Sequence, residues 1–137
     1  MMSPDILLGY LESRAPKDRE TGLIWIARYH YLDFLGDVLR LLQDPVADVR
    51  EQAAQTLSIL HHPASIPALA DALYDVSYTV RFTAGWALVS FGNESIPYVK
   101  DVLISEDKAA RQAAYHVLSR IDTPESREVL RELWRGE

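Results

Sequence analysis

The chain has 137 residues, and 48% of them are hydrophobic, a composition typical of a globular domain with a sizeable buried core. It contains no cysteine, which excludes disulfides, thiolate zinc sites and cysteine nucleophiles. Its net charge of −6, from 14 basic and 20 acidic residues, disfavours a protein that binds the phosphate backbone of nucleic acids.

Apolar residues recur at steps of three and four along the chain, which predicts helices, and no segment alternates as a strand would. Turn-forming residues separate the apolar stripes, for example at residues 61–65 and 91–95. We expect Ser65 and Ser95 to cap the helices that follow them, and Gly92 to adopt the left-handed conformation after a helix end. In chain order we predict nine helices, at residues 3–13, 17–29, 31–43, 45–60, 65–74, 77–91, 95–104, 107–121 and 124–135.

An internal repeat of about 31 residues runs through these predicted helices. The segments "VREQAAQTL", "VRFTAGWAL" and "ARQAAYHVL" share an arginine, then a small residue three positions later and a leucine seven positions later. The arginines of this register are Arg19, Arg50, Arg81 and Arg111, and the small residues are Gly22, Ala53, Ala84 and Ala114. We expect the small residues to let neighbouring helices approach closely.

The second half of each unit repeats as well, as "SIPALADAL" and "SIPYVKDVL" demonstrate. The repeat predicts one domain over residues 1–137. It consists of an N-terminal capping helix at residues 1–12 and four units, at residues 13–43, 44–74, 75–104 and 105–135. A single helix pair cannot bury its apolar stripe alone, so the pairs must stack on one another.

One unit reads as Asp, then Val-Arg, an alanine, a leucine, a turn, Ile-Pro and two further leucine positions. This pattern resembles the HEAT repeat, and the short spacing is similar to the subtype of the phycobilisome lyases. The resemblance covers residues 13–134 and is strongest over residues 44–118. It implies an all-α fold, a right-handed armadillo-like α-solenoid of stacked antiparallel helix pairs. It also implies that the repeated aspartates and arginines are structural and form a hydrogen-bonded ladder. These residues are Asp44, Asp75, Arg50, Arg81 and Arg111.

No motif for catalysis, metal binding or a cofactor is present. The four histidines have no metal-ligand spacing, and the sequence has neither a glycine-rich phosphate loop nor a Gly-x-Ser-x-Gly elbow. We therefore predict a protein that is not an enzyme and needs no cofactor. The apolar runs are too short for a membrane span, and the N-terminus has no signal-peptide pattern, so we expect a cytoplasmic protein.

The first predicted binding surface is the concave face, which the second helices line in stacks of this kind. Its exposed columns are acidic in the middle and include one tyrosine. The columns contain Asp37, Ala68, Tyr98 and Glu128, and beside them Arg40, Asp71, Asp101 and Arg131. They predict either a groove for a basic protein segment or an ordinary solvated face.

The second predicted surface is an aromatic patch in one unit only. Phe82 and Trp86 are one helical turn apart, and Tyr78 lies one turn before them. The equivalent positions in the other units are mostly polar. The three residues predict either an exposed patch of the kind that anchors protein interfaces, or a local rotation of the repeat that buries the rings.

The leading hypothesis is a non-catalytic scaffold that binds a protein or peptide through one of these two surfaces. A sharper version is an inhibitor or immunity-type protein for a basic toxin. The alternative, which rests on the repeat subtype alone, is a bilin lyase or a chromophore-chaperone subunit. No nucleic acid and no membrane is expected as a partner, and the sequence predicts no particular oligomeric state.

Overall fold

The computed structural model describes residues 2–137, and this part of the chain folds into nine α-helices without a β-strand. The all-α prediction and the nine predicted helices are confirmed; Met1, the first residue of the predicted capping helix, lies outside the described residues. The helices are α1 (Pro4–Leu11), α2 (Pro16–Tyr29), α3 (Leu35–Leu41), α4 (Ala47–Leu60), α5 (Ile66–Asp71), α6 (Tyr78–Ser90), α7 (Ile96–Leu103), α8 (Lys108–Ile121) and α9 (Pro124–Leu133).

The helices pack in two rows, as the stacked arrangement of a solenoid requires. Helices α2, α4, α6 and α8 lie side by side in the first row, and the second row consists of α1, α3, α5, α7 and α9. The pairs that pack across the rows include α1 with α2, α3 with α4, α5 with α6, α7 with α8 and α8 with α9. Each helix of the first row therefore packs tightly against the second helix of the preceding unit, and the same contact recurs along the chain.

The core consists of the apolar columns of the repeat. Ile26, Leu57, Leu88 and Leu118, which share one column, are each fully buried. The small column is buried too, and at its first position Gly22 faces α1, where an added Cβ would lie 2.7 Å from Cδ2 of Leu11. The small residues therefore permit a close approach between helices. At Gly22 the approaching helix is α1, which precedes the repeat unit that contains Gly22.

Short 3₁₀ turns lead into the second helices, and they overturn one of the predictions. The turn at Pro63–Ser65 precedes α5, and the turn at Gly92–Ser95 precedes α7. A capping serine needs an extended backbone, but Ser65 (φ −77°, ψ −19°) and Ser95 (φ −77°, ψ −23°) already have helical angles. Neither side chain caps its helix: the Ser95 hydroxyl donates to the carbonyl oxygen of Leu88 over 2.7 Å instead.

The prediction for Gly92 is correct, since its φ is +60°. The equivalent residues of the other units, His30, His61 and Asp122, also have positive φ angles, of 56°, 52° and 49°. Each first-row helix from α2 to α8 is thus followed by a left-handed residue at the same place in the repeat. Only in the third unit is that residue a glycine, which adopts the conformation without steric cost.

Candidate partner-binding surfaces

Two of the repeated arginines form part-buried, two-point salt bridges with aspartates of the following unit. Arg19 donates from Nε and Nη2 to the Asp44 carboxylate over 2.7 and 3.1 Å, and Arg50 does the same to Asp75 over 2.8 and 3.0 Å. The hydrogen bonds that Arg50 donates to the Asp75 carboxylate are the main cause that raises the pKa of Arg50, whereas burial lowers it. These side chains form the ladder that the resemblance implies, and they join successive units.

All four arginines share a second contact, which orients the guanidinium group. Each donates from Nη1 to the backbone carbonyl six residues earlier, over 2.8 to 3.0 Å. The acceptors are the carbonyl oxygens of Ser13, Asp44, Asp75 and Ser105.

The ladder stops at Arg81. The residue that stands in the aspartate column of the next unit is Ser105, and Arg81 makes no salt bridge within the described residues 2–137. The Ser105 hydroxyl oxygen is buried and has no hydrogen-bond partner within this part of the chain. Arg111, one unit further on, pairs with exposed Glu137 over 3.5 Å. Arg81 is therefore the one ladder arginine of the described chain whose carboxylate position is empty.

A groove of about 360 Å³ lies between α6 and α8, and we call it the aromatic groove. Its most deeply buried lining residues are Gly85 and Val117, whereas aromatic and polar side chains form its rim. The full lining comprises Tyr78, Arg81, Phe82, Gly85, Trp86 and Val89 from α6, and Ala109, Gln112, Ala113, His116, Val117 and Arg120 from α8.

The aromatic side chains of the groove form one exposed stripe along α6. Tyr78 is 66% exposed, Phe82 is 50% exposed and Trp86 is 48% exposed, so the alternative in which a local rotation buries them is wrong. The ring centroids are 6.0 Å apart between Tyr78 and Phe82, and 6.2 Å apart between Phe82 and Trp86. The Arg120 guanidinium lies 5.2 Å from the Trp86 centroid, at cation–π distance.

Sequence reasoning missed Gly85 and both arginines of the groove. The equivalents of Gly85 in the other units are Leu23, Ala54 and Tyr115, so a side chain is absent here alone. A Cβ on Gly85 would lie 3.3 Å from Cγ2 of Val117, which means that the glycine lets the two helices approach at the base of the groove. The column comparison could have identified this glycine; the position of Arg120 depends on the packing of α8.

The predicted acidic surface lies on the second-row helices, and its end charges are neutralised locally. Asp37 accepts from Arg40 over 3.1 Å within α3, and Glu128 pairs with Arg131 within α9. In the middle, Asp71 on α5 and Asp101 on α7 are exposed. Neither forms a salt bridge with any residue between 2 and 137. Tyr98 is 44% exposed on α7, and Ala68 on α5 is half-buried.

A separate polar contact joins the turn before α7 to the start of α9. The Asn93 amide donates to Glu125 over 3.0 Å and accepts from the Thr123 hydroxyl over 2.7 Å. The backbone N–H of Glu125 itself and the Asn93 side chain both lower the pKa of the Glu125 carboxyl. This contact holds neighbouring second-row elements together and does not reach the aromatic groove.

The described chain offers neither a metal centre nor a membrane-crossing helix. No three His, Asp or Glu side chains of residues 2–137 come together in a way that could hold a metal ion. None of the described helices combines the length and the apolarity that crossing a bilayer requires.

Comparison with known proteins gives a family and a fold. A family model described as HEAT repeats matches residues 4–88 and 72–137, which together span nearly the whole chain. Among solved structures, the chain is similar to the crystal structure of an engineered protein from the Northeast Structural Genomics Consortium. The TM-score is 0.67 at 15% identity, over 97% of this chain and 68% of the other. At that identity the likeness shows the fold alone. No curated protein matches the chain in sequence.

Proposed function

The chain belongs to the HEAT-repeat family, and we propose that it is a protein-interaction scaffold whose partner binds in the aromatic groove between α6 and α8. The observation that carries this proposal is the exposure of Tyr78, Phe82 and Trp86 along one helix, beside a groove with a glycine at its base. Exposed aromatic side chains that surround a pocket are typical of the residues that contribute most to protein binding.

We propose binding rather than catalysis, because the groove lacks the groups that bond chemistry needs. Its polar lining consists of Tyr78, Arg81, Gln112, His116 and Arg120, without a serine, a threonine or a carboxylate. A histidine alone, without a nucleophile or an orienting carboxylate, does not form a catalytic arrangement. The same lining suits recognition, since apolar rings are combined with a few directional donors.

Affinity capture from the native host, with quantitative mass spectrometry, tests the proposal. We expect a partner that wild type retains and that Phe82→Ala plus Trp86→Ala loses by about 30-fold, because a buried aromatic anchor contributes about 2 kcal/mol or more. The matched control is Ile24→Ala plus Ile59→Ala, which trims two apolar side chains, each 49% exposed, on α2 and α4. Equal recovery of the partner by the groove variant and by wild type would contradict the proposal.

The acidic middle of the second-row face supports a second candidate surface, for a basic partner. Asp71 and Asp101 are exposed and are not neutralised by a neighbouring side chain of the described chain, unlike Asp37 and Glu128 at the ends. An inhibitor or immunity protein for a basic toxin is the sharper form of this candidate. Asp71→Lys plus Asp101→Lys should then abolish capture of a basic protein; unchanged capture would rule out this surface.

The bilin lyase alternative stays a prediction from repeat subtype. It predicts a shift in the absorption spectrum of a bilin when the protein is added. A titration without any spectral change would remove it.

A further inference from the structure

We propose that the aromatic groove binds an acidic, apolar peptide segment, and that Arg81 holds a carboxylate of this segment with the donors that bind aspartate in the preceding units. The inference rests on the proposed function, because it states which ligand chemistry the same groove selects. It departs from the expectation of a basic partner, which the acidic second-row face suggested.

Arg81 has two donor nitrogens without a hydrogen-bond acceptor in the described chain. In Arg19 and Arg50, Nη1 binds a backbone carbonyl while Nε and Nη2 together hold a carboxylate. Arg81 keeps the first contact, from Nη1 to the Asp75 carbonyl over 2.8 Å and to the Val76 carbonyl over 3.2 Å. Its Nε and Nη2 have no acceptor among residues 2–137. The guanidinium is thus already oriented for a bidentate pair, and less entropy is lost when a carboxylate binds.

The described chain itself does not supply a carboxylate for Arg81, because the aspartate of the repeat is missing in the next unit. Ser105 occupies the aspartate column, and its backbone carbonyl accepts from Arg111 as the carbonyls of Asp44 and Asp75 accept from their own arginines. The repeat register is therefore kept, and only the carboxylate is missing. A serine hydroxyl is neutral and too short to replace an aspartate, and here it is buried without a partner.

The charged side chains that line the groove are all basic. Although the chain carries a net charge of −6, the charged residues that line the groove are Arg81 and Arg120, and no carboxylate lines it. A basic segment would be repelled here, whereas an acidic one would be attracted. The apolar residues Phe82, Gly85 and Trp86 lie between the two basic ends.

The spacing of the two arginines describes the ligand further. Arg120 stands in the repeat register of Ser90, nine residues beyond Arg81, so the backbones of the two arginines are offset by about 13 Å along the helix axis. The Arg120 guanidinium reaches back over Trp86, so this offset is the upper bound for the spacing of the two charged groups. An extended peptide covers about 13 Å in four residue steps. We therefore infer a segment in which two acidic residues, at most four positions apart, flank apolar side chains that contact Phe82 and Trp86.

The probe is an acetylated and amidated peptide in which two glutamates flank three leucines, together with a twin that has glutamine in place of both glutamates. Chemical-shift titration of the full chain, followed at the backbone N–H groups of the groove residues Gly85 and Gln112, measures both affinities in wild type and in every variant. We expect the acidic peptide to bind at least tenfold more tightly than its twin, because a charged bidentate pair is stronger than a neutral one. Phe82→Ala plus Trp86→Ala should weaken both peptides by at least tenfold.

Two variants test whether Arg81 is the residue that recognises the carboxylate. Ser105→Asp supplies a carboxylate from within the chain, so the preference for the acidic peptide should fall by at least about threefold, while the affinity of the twin stays unchanged. The part of the preference that remains is the part that Arg120 contributes. Ser105→Asn is the neutral control and should keep the tenfold preference. Arg81→Gln should reduce the preference to the same extent as Ser105→Asp, if its helical circular dichroism shows that it is folded.

The outcomes separate this inference from the proposed function. Equal affinity of the two peptides for wild type, or an undiminished preference in both Ser105→Asp and Arg81→Gln, would overturn the carboxylate inference and leave the groove as a binding site. Binding of neither peptide at millimolar concentration would also overturn it. The capture experiment with the Phe82 and Trp86 variant decides the proposed function independently.

Discussion

The arginine that recurs in every unit has different partners along this chain. In Arg19 and Arg50 it holds a largely buried aspartate of the following unit, whereas in Arg81 it lies at the rim of a groove. The arginine itself and its contact with the carbonyl six residues earlier are the same in Arg50 and Arg81, so neither feature accounts for the difference. The difference arises 24 positions later, where Ser105 stands in the aspartate column.

Asp75→Asn should lower the free energy of unfolding by about 1–3 kcal/mol, because it leaves a part-buried arginine without its charge partner. The Asp75 carboxylate accepts from Arg50 and also from the backbone N–H of Ser77 over 2.9 Å, so it joins two units. Urea unfolding followed by circular dichroism measures the loss.

The control for this prediction is Glu128→Gln, which breaks an ion pair with Arg131 on the exposed surface of α9. We expect a change of about 0.5 kcal/mol or less, because exposed ion pairs add little to stability. A similar loss in the two variants would mean that the ladder is a surface feature and not part of the scaffold.

At the scale of the elements, the connections that follow the first-row helices differ in backbone conformation from those that precede the second-row helices. The longer first-row helices are followed by a left-handed residue, and the short second-row helices α3, α5 and α7 are entered through 3₁₀ turns. The predicted start of α3, at residue 31, and the predicted end of α5, at residue 74, differ most from the structure, and in both cases a 3₁₀ turn (Leu32–Phe34 and Ala72–Tyr74) accounts for the difference. The apolar spacing does not distinguish a 3₁₀ turn from the first turn of an α-helix, because both place residues three positions apart on one side.

Ala84→Leu should destabilise the fold by about 1–3 kcal/mol, because it adds volume to a fully packed seam. Ala84 on α6 has no exposed surface, and its equivalent Gly22 has a leucine of α1 within contact distance. The measurement is a thermal melt, with Gln55→Leu on the exposed side of α4 as a control that should change stability by at most about 0.5 kcal/mol. An unchanged melt for Ala84→Leu would refute the seam.

At the scale of the whole molecule, every helix depends on its neighbours in the stack. The buried cluster runs from Leu7 in α1 to Leu118 in α8, and each first-row helix contributes the same columns to it. In such a stack, stability is approximately the sum of the units and of the interfaces between neighbours. The terminal helices cover parts of the core that would otherwise face water.

Deletion of residues 1–12 tests this dependence. It removes Leu7 and Leu11, which are 0% and 2% exposed, and it uncovers the side of α2 that packs on them. We expect a loss of about 3–6 kcal/mol in the free energy of unfolding, from two buried leucines at about 1.5–3 kcal/mol each. Chemical denaturation of the shortened chain measures it.

Deletion of residues 135–137 is the matched control at the other end of the chain. These residues are exposed, and within the described chain the deletion breaks one ion pair, between Glu137 and Arg111. The expected loss is about 1 kcal/mol or less. If the two deletions had equal effects, α1 would not belong to the stacked core.

The candidate site was predictable in part. The stripe of Tyr78, Phe82 and Trp86 follows from helical spacing together with the comparison of columns, although spacing alone left its exposure open. The role of Arg120 did not follow, because its position over Trp86 depends on how α8 packs beside α6. The columns predicted a face that is acidic in its middle, and the structure adds that ion pairs within α3 and α9 neutralise the charges at its ends.

The sequence by itself determined the helical period, the stacked architecture and the buried columns, because each depends on the spacing of apolar residues along one helix or from one unit to the next. Only the tertiary structure decided which arginines are satisfied and where a groove opens. Both features depend on contacts between α6 and the segment that includes Ser105 and α8. Within the described chain no carboxylate lies opposite Arg81, and Gly85 has no side chain where it faces Val117. The chemistry of this surface results from these two absences, whose consequences appear only once the neighbouring helix is in place.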